Sequence, residues 1–132
     1  SNACQSNQLF KYILSDKASG VFNGKVVVKE KTKQTDASQS NKNLVLSPSA
    51  LMNANPQLEI YADDVKCSHG STTGQIDHEA LFYLRSRGLN KKRAMELIVE
   101  GFAGDVIQSI QNLDTKEYVN DKVSLALRRI LE

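Results

Sequence analysis

The hydrophobic period of this chain changes once, at Asp77, and that change restricts it to folds in which β structure comes first and helices follow. Upstream, apolar residues occur in short runs between turn-forming residues. Leu9 to Leu14 is apolar enough for a strand, although a short helix would fit as well, and Lys25 to Lys29 (KVVVK) is a β-branched strand. Ser19-Gly20, Asn23-Gly24 and Asn55-Pro56 read as turns. Downstream, Asp77 caps a helix through Arg87 whose buried side is Leu81, Phe82 and Leu84, with Gly88 at its C-terminal end. Asn90 caps a second helix, on which Ala94, Leu97, Ile98, Gly101, Phe102, Val106, Ile107 and Ile110 form a broad apolar face. A third, capped by Asp114, places Val119, Val123, Leu127 and Ile130 on one stripe.

Within the β half, a polar tract from Glu30 to Asn43 would pass for a linker if it stood alone. It becomes intelligible through a weak repeat: Phe10, Val27, Leu44 and Tyr61 are spaced by 17 residues, as are Gly20, Ala37, Ala54 and Ser71. Short strands joined by polar turns at such a period suit a solenoid, with the tract's polar side chains at turns and solvent-facing positions. A β-sandwich or small barrel is the competing architecture.

Charge and composition remove several functions. The net charge is +2 and there is no Trp. Apart from Lys29, Lys31 and Lys33, and the cluster Lys91-Lys92-Arg93, the basic residues are dispersed, which argues against a nucleic-acid face. No apolar run approaches the about 20 residues that span a bilayer. Two cysteines, Cys4 and Cys67, form no disulfide framework, and a reducing cytoplasm is the simplest compartment. Ser1-Asn2-Ala3, without an initiator Met, reads as the remnant of a cleaved expression tag, leaving residues 4–76 as the β region and 77–132 as a helical domain of a longer protein.

The chemistry concentrates between Pro56 and Gly74, the only stretch where a thiol and an imidazole are close in sequence. If Val65 to His69 is extended, Cys67 and His69 project from one face with Cβ atoms roughly 6–7 Å apart. That is long for a thiolate–imidazolium contact and short enough for both to converge on a metal, whose bonds to S and N are roughly 2.0–2.3 Å by analogy with zinc. An iron–sulfur cluster needs about four protein ligands. This chain adds at most Asp63, Asp64, Glu79 or the distant Cys4, so such a site would be shared across an interface. A Cys–His hydrolase lacks an evident orienting group or oxyanion element. Asp63 and Asp64 read as turn formers and His78 as a surface residue in the first helical turn. Gly101-x-x-Gly104 follows no strand and lacks the ending of a phosphate loop.

The run PQLEIYADDVKCSHGSTTGQIDHEALFYLRSRGL resembles the SufB/SufD family of scaffolds of the SUF iron–sulfur assembly system. GVFNGKVVV, QTDASQSNKNLVLS and RAMELIVEGFAGDVI agree as well, so the likeness covers nearly the whole chain. The SufB branch typically carries His-Glu-Ala-Thr where this chain has Ser68-His69-Gly70-Ser71, which favours the SufD branch; Ser71 itself stands where many members have Ala. The resemblance implies the last coils of a right-handed parallel β-helix followed by a small helical domain. It implies a non-enzymatic scaffold that pairs with a SufB-like subunit, docks a SufC-like ABC-type ATPase through its helices, and holds a transient iron–sulfur cluster at the shared interface. His69, with Cys67 beside it, is then the expected cluster ligand, and Leu81, Phe82, Arg85, Arg87, Gly88 and Phe102 the expected ATPase-docking residues. A homodimer of the isolated chain is a further expectation. The alternative is a β-solenoid interaction module with no metal role, in which Cys67 is structural.

Overall fold

The structure, a computed structural model, describes residues 3–131; of the expected tag remnant, Ser1 and Asn2 lie outside the described residues. Five strands precede three helices: β1 (Gln5–Leu14), β2 (Ser19–Val28), β3 (Thr35–Val45), β4 (Leu51–Ile60), β5 (Val65–Gln75), α1 (His78–Ser86), α2 (Lys91–Gln108) and α3 (Leu113–Ile130). The chain divides into two compact units between Gly74 and Gln75. The fold is therefore mixed, β first and α second.

In the first unit, successive strands alternate between two sheets, ordered β1-β3-β5 and β2-β4. β1 and β3 are parallel, with Gln5 opposite Asp36 and Leu14 opposite Val45. β2 and β4 are also parallel, with Ser19 opposite Leu51 and Val28 opposite Ile60. Stacked positions are thus 31 or 32 residues apart. The expected 17-residue repeat is corrected by this register: Val27 stands opposite Glu59, not beside Leu44. Strands of ten or eleven residues plus a short turn place consecutive strands at about half the true repeat, and they lie in different sheets.

Inner side chains join the sheets. Phe22 of β2 meets Phe10 and Tyr12 of β1, with ring centroids 5.1 and 6.3 Å apart. Leu14, Phe22, Val28 and Ala37 are buried there, while Phe10 stays exposed and Tyr12 half-buried. Three polar side chains complete this core, Gln39, Asn41 and Asn43, all from the tract expected to face solvent. Every second residue of β3 from Ala37 to Asn43 points inward, and the amides among them bond either to each other or to β1. Gln39 Nε2 donates to Gln8 Oε1 at 2.8 Å across the β1–β3 ladder. Asn41 and Asn43 exchange two bonds of 2.9 and 2.7 Å. The paired amides of Asn41 and Asn43 escape the penalty of an unbonded polar group in a core, whereas the buried Gln39 Oε1 has no hydrogen-bond partner among the described residues.

The supposed turns at Ser19-Gly20, Asn23-Gly24 and Asn55-Pro56 are strand interior, in β2 and β4. Gly24 serves close approach here, not a turn: a Cβ on it would collide with Gln39 Oε1 and come within 2.5 Å of Phe22 Cζ.

In the second unit, α2 packs against both α1 and α3. Asp77 and Asn90 cap as expected, accepting from Glu79 N and Ala80 N, and from Arg93 N. The third cap is Asn112, two residues before the expected Asp114, and it accepts from Thr115 N at 2.8 Å. Gly88, at φ 97°, closes α1 in the left-handed region. The buried residues are Ala94, Val99 and Ile107 of α2 and Leu127 of α3. Val119, Val123 and Ile130 flank Leu127 as a half-buried stripe. α1 departs from expectation: none of its residues is buried, and Phe82 is 75% exposed. Nine residues give too little helix to enclose a side chain on their own. Among the described residues no helix is long and apolar enough to cross a membrane.

Candidate functional site

Cys67 and His69 both lie in β5, next to β3 in the first sheet. The far half of β5 is fixed by side chains. Ser71 Oγ donates to Asn41 Oδ1 at 2.7 Å, and Asn43 Nδ2 donates to Thr72 O at 3.1 Å and to Thr73 Oγ1 at 3.2 Å. Ser71 and Thr73 therefore turn toward the interior amides. Strand alternation puts His69 and Cys67 on that same face, one step and two steps back from Ser71 along the strand.

The two side chains differ in exposure: Cys67 is a free, half-buried thiol and His69 is exposed. Neither is enclosed, and the sheet topology accounts for that. The second sheet ends at β4, so among the described residues no further strand faces β5. The inner face of β5 thus carries a thiol and an imidazole with no strand opposite, one soft donor and one borderline donor for a transition metal. Among the described residues no group of three or more His, Cys, Asp or Glu side chains is arranged to hold an ion.

The other expected site residues lie elsewhere. Asp63 and Asp64 are exposed in the β4–β5 turn and, with Asp36, Gln34 and Lys66, line a cleft of about 500 Å³. Backbone bonds tie this corner together: Gln34 N donates to Asp64 O at 2.7 Å and Asp36 N to Cys4 O at 2.9 Å. Cys4 is exposed before β1, while Glu79 and His78 are exposed at the start of α1. Of the residues expected to dock an ATPase, Phe82, Arg85, Arg87 and Gly88 are exposed, and Leu81 and Phe102 are half-buried. The Arg87 guanidinium sits 5.3 Å from the centroid of the Tyr83 ring, so Tyr83, absent from the expected set, shares the exposed α1 surface with Phe82.

Gln39, Asn41 and Asn43 were also missed, although Asn41 and Asn43 anchor the strand that carries the pair. Their signal was present: Ala37, Gln39, Asn41 and Asn43 follow a strict period of two within a tract whose composition alone suggested a linker.

Residues 1–102 match the family model described as the SufBD core domain of SUF-system FeS cluster assembly. The chain is 44% identical over 124 residues to the iron–sulfur cluster assembly protein SufD of Escherichia coli, covering 94% of this chain and 29% of that protein. It is 49% identical over 105 residues to an iron–sulfur cluster assembly SufBD family protein of Synechocystis, covering 80% of this chain and 23% of that one. It is 36% identical over 98 residues to SufD of Bacillus subtilis, covering 74% and 22% respectively. The chain thus spans less than a third of the length of these relatives.

Proposed function

The chain belongs to the SufBD core family of the SUF iron–sulfur cluster assembly system, and from that premise we propose that it is the C-terminal part of a SufD-type scaffold that acts with two partners. A SufB-like subunit joins it through the β unit, at residues 4–76. A SufC-like ATPase docks on the helical unit, at residues 77–132, where Phe82, Arg85, Arg87 and Gly88 are exposed with Leu81 and Phe102 beside them. The chain supplies placement and no chemistry of its own, ATP hydrolysis belongs to the partner, and the assembly is cytoplasmic. The 44% identity to a SufD over 94% of the chain carries this reading.

The nascent iron–sulfur cluster is the cargo. His69 and Cys67 supply two of the about four ligands a cluster takes, and the remainder come from the SufB-like subunit across the open face of β5. Support for a shared site comes from placement: both side chains lie on the inner face of the last strand, where, among the described residues, the second sheet offers no facing strand.

Parallel strands alternating between two sheets, with partners 31 or 32 residues apart, are what the last coils of a right-handed parallel β-helix would present. In the full-length protein β1 should then pair in parallel with a strand 31 or 32 residues upstream. An antiparallel neighbour there would overturn the coil assignment.

Reconstitution of the full-length protein with SufB-like and SufC-like partners under anoxic conditions tests the function. The wild type is expected to form a stable ternary complex that acquires iron and sulfide. His69→Ala is expected to form the same complex and to lose most of the cluster absorbance. Full cluster loading by that variant would remove His69 as a ligand and leave a scaffold in which Cys67 is structural. Undiminished SufC binding after deletion of the helices would remove the docking assignment.

A further inference from the structure

Pro56 stands in the middle of β4, which is an edge strand of the second sheet, and the side of the strand it faces can be worked out from the ladder. Leu51 N donates to Ala18 O and Tyr61 N to Val28 O, both at 2.9 Å. With Ser19 opposite Leu51 and Val28 opposite Ile60, the odd-numbered residues of β4 turn N–H and C=O toward β2. The even-numbered residues turn theirs toward the free edge: Met52, Ala54, Pro56, Leu58 and Ile60. Pro56 costs the β2–β4 ladder nothing, because its missing donor lies on the outer side. On that side it leaves two donors before it and two after it, with the pyrrolidine ring filling the space a partner carbonyl would occupy.

This edge would otherwise be hazardous. Met52, Ala54 and Leu58 are apolar and only half-buried, and Ile60 is 44% exposed. A ten-residue strand with apolar residues at every second position and an uninterrupted row of outward amides is a template for adding another chain. β5, the neighbouring terminal strand of the first sheet, contains no proline, so each of its residues retains an N–H.

We infer that Pro56 closes the free edge of β4 against strand addition, so that a strand joining this end of the β unit can pair only with β5. The inference goes beyond the assembly reading and does not depend on it, since it concerns this chain alone and involves no iron or second protein.

Hydrogen exchange on the isolated chain tests it first. Wild-type amides of Met52, Ala54, Leu58 and Ile60 are expected to exchange on the order of 100-fold faster than those of Asn53, Asn55 and Gln57, which bond to β2. Equal protection in the two sets would mean the edge is already covered and would overturn the inference. Pro56→Thr restores the donor with a strand-forming residue. It is expected to raise self-association on the order of tenfold in sedimentation velocity, with new protection at Ala54 and Leu58. Asn55→Thr, which adds similar strand propensity on the β2 side, is expected to associate like the wild type. A Pro56→Thr chain that associates no more than the wild type, or an Asn55→Thr chain that associates equally strongly, would refute the role of the proline.

Discussion

Replacing Asn43 by Ala should remove part of what holds β5 to the interior, and the cost can be worked out bond by bond. Asn43 is 3% exposed and Asn41 is 1% exposed, so neither amide can turn to water for a replacement partner. Asn43 Oδ1 accepts from Asn41 Nδ2 at 2.9 Å, and Asn43 Nδ2 donates to Asn41 Oδ1 at 2.7 Å. Its second hydrogen is shared among Thr72 O, Thr73 Oγ1 and Ser71 Oγ at 3.1, 3.2 and 3.4 Å. Three bonds at about 1 kcal/mol each, plus about 1 kcal/mol for the buried Asn41 donor left unpaired, give about 4 kcal/mol. That is a large fraction of the about 5–15 kcal/mol that holds a domain folded. Urea unfolding followed by circular dichroism should show the midpoint falling by on the order of 2 M. Hydrogen exchange should rise first in β5. Asn41→Ala and the double variant complete a cycle whose coupling should be about 2 kcal/mol, because each single change orphans the other amide. A loss below about 1 kcal/mol for Asn43→Ala, or zero coupling in the cycle, would show that the amide ladder does not carry β5.

Three further outcomes follow from the packing. Gly24→Ala places a methyl against Gln39 Oε1 and Phe22 Cζ, and should destabilise the β unit by about 2 kcal/mol, read from the same unfolding curves. Asp77→Ala removes the side chain that accepts from Glu79 N at 2.8 Å and Ala80 N at 3.2 Å; it should cost about 1 kcal/mol, with faster amide exchange confined to the first turn of α1. Lys25 pairs with Glu59 at 2.6 Å, and that hydrogen bond and charge raise its pKa above 10.5. A raised lysine stabilises the fold below its unfolded pKa and loses the effect as pH climbs through the folded value, so the pair acts at neutral pH and fades only above 10.5. Both groups are solvated, and Lys25→Met should become indistinguishable from wild type in about 1 M salt, where the Debye length is about 3 Å; a difference that persists at that ionic strength would contradict a screened surface pair.

What the sequence disclosed depended on whether a local signal had one physical meaning or two. Asp77 and Asn90 were legible as helix caps because a short polar acceptor before an apolar helical period has few other uses. Gly88 was legible because a left-handed residue at a helix end favours glycine. Asn23-Gly24 and Asn55-Pro56 misled because the same residue pairs serve two purposes. A glycine permits a turn but also admits a facing side chain, as Gly24 admits Gln39. A proline ends a central strand but is harmless when its nitrogen faces an unpaired edge, as at Pro56. Gln39, Asn41 and Asn43 misled more deeply: burial of an amide is favourable only with a partner. The partners of Gln39 and Asn43 in β1 and β5 lie about 30 residues away in sequence, where no local pattern reaches. Phe82 is the reverse case, an apolar residue at a helical period that the fold leaves in solvent.

The candidate pair occupies a strand whose two halves are held differently, and this bears on what the pair can do. From Ser71 to Thr73, β5 is bound to buried amides through side chains as well as through its place in the sheet. At Cys67 and His69, among the described residues, neither side chain makes a hydrogen bond, and position rests on the backbone alone. A metal ligand of fixed geometry normally has its second nitrogen or its surroundings hydrogen-bonded, which sets orientation and raises basicity. Here the strand fixes where the thiol and imidazole start and leaves their rotamers open. Such an arrangement suits a site completed by another surface, which can orient the imidazole as it arrives, better than one that must hold an ion by itself. The anchoring at Ser71 and Thr73 then has a definite consequence: loosening it through Asn43→Ala should blur the placement of His69 without touching the imidazole. In the reconstituted assembly that variant should slow cluster formation while leaving the final cluster spectrum unchanged, whereas His69→Ala should alter or abolish the spectrum itself. Identical spectra from both variants would mean that the strand's placement, and not the imidazole, is what the assembly uses.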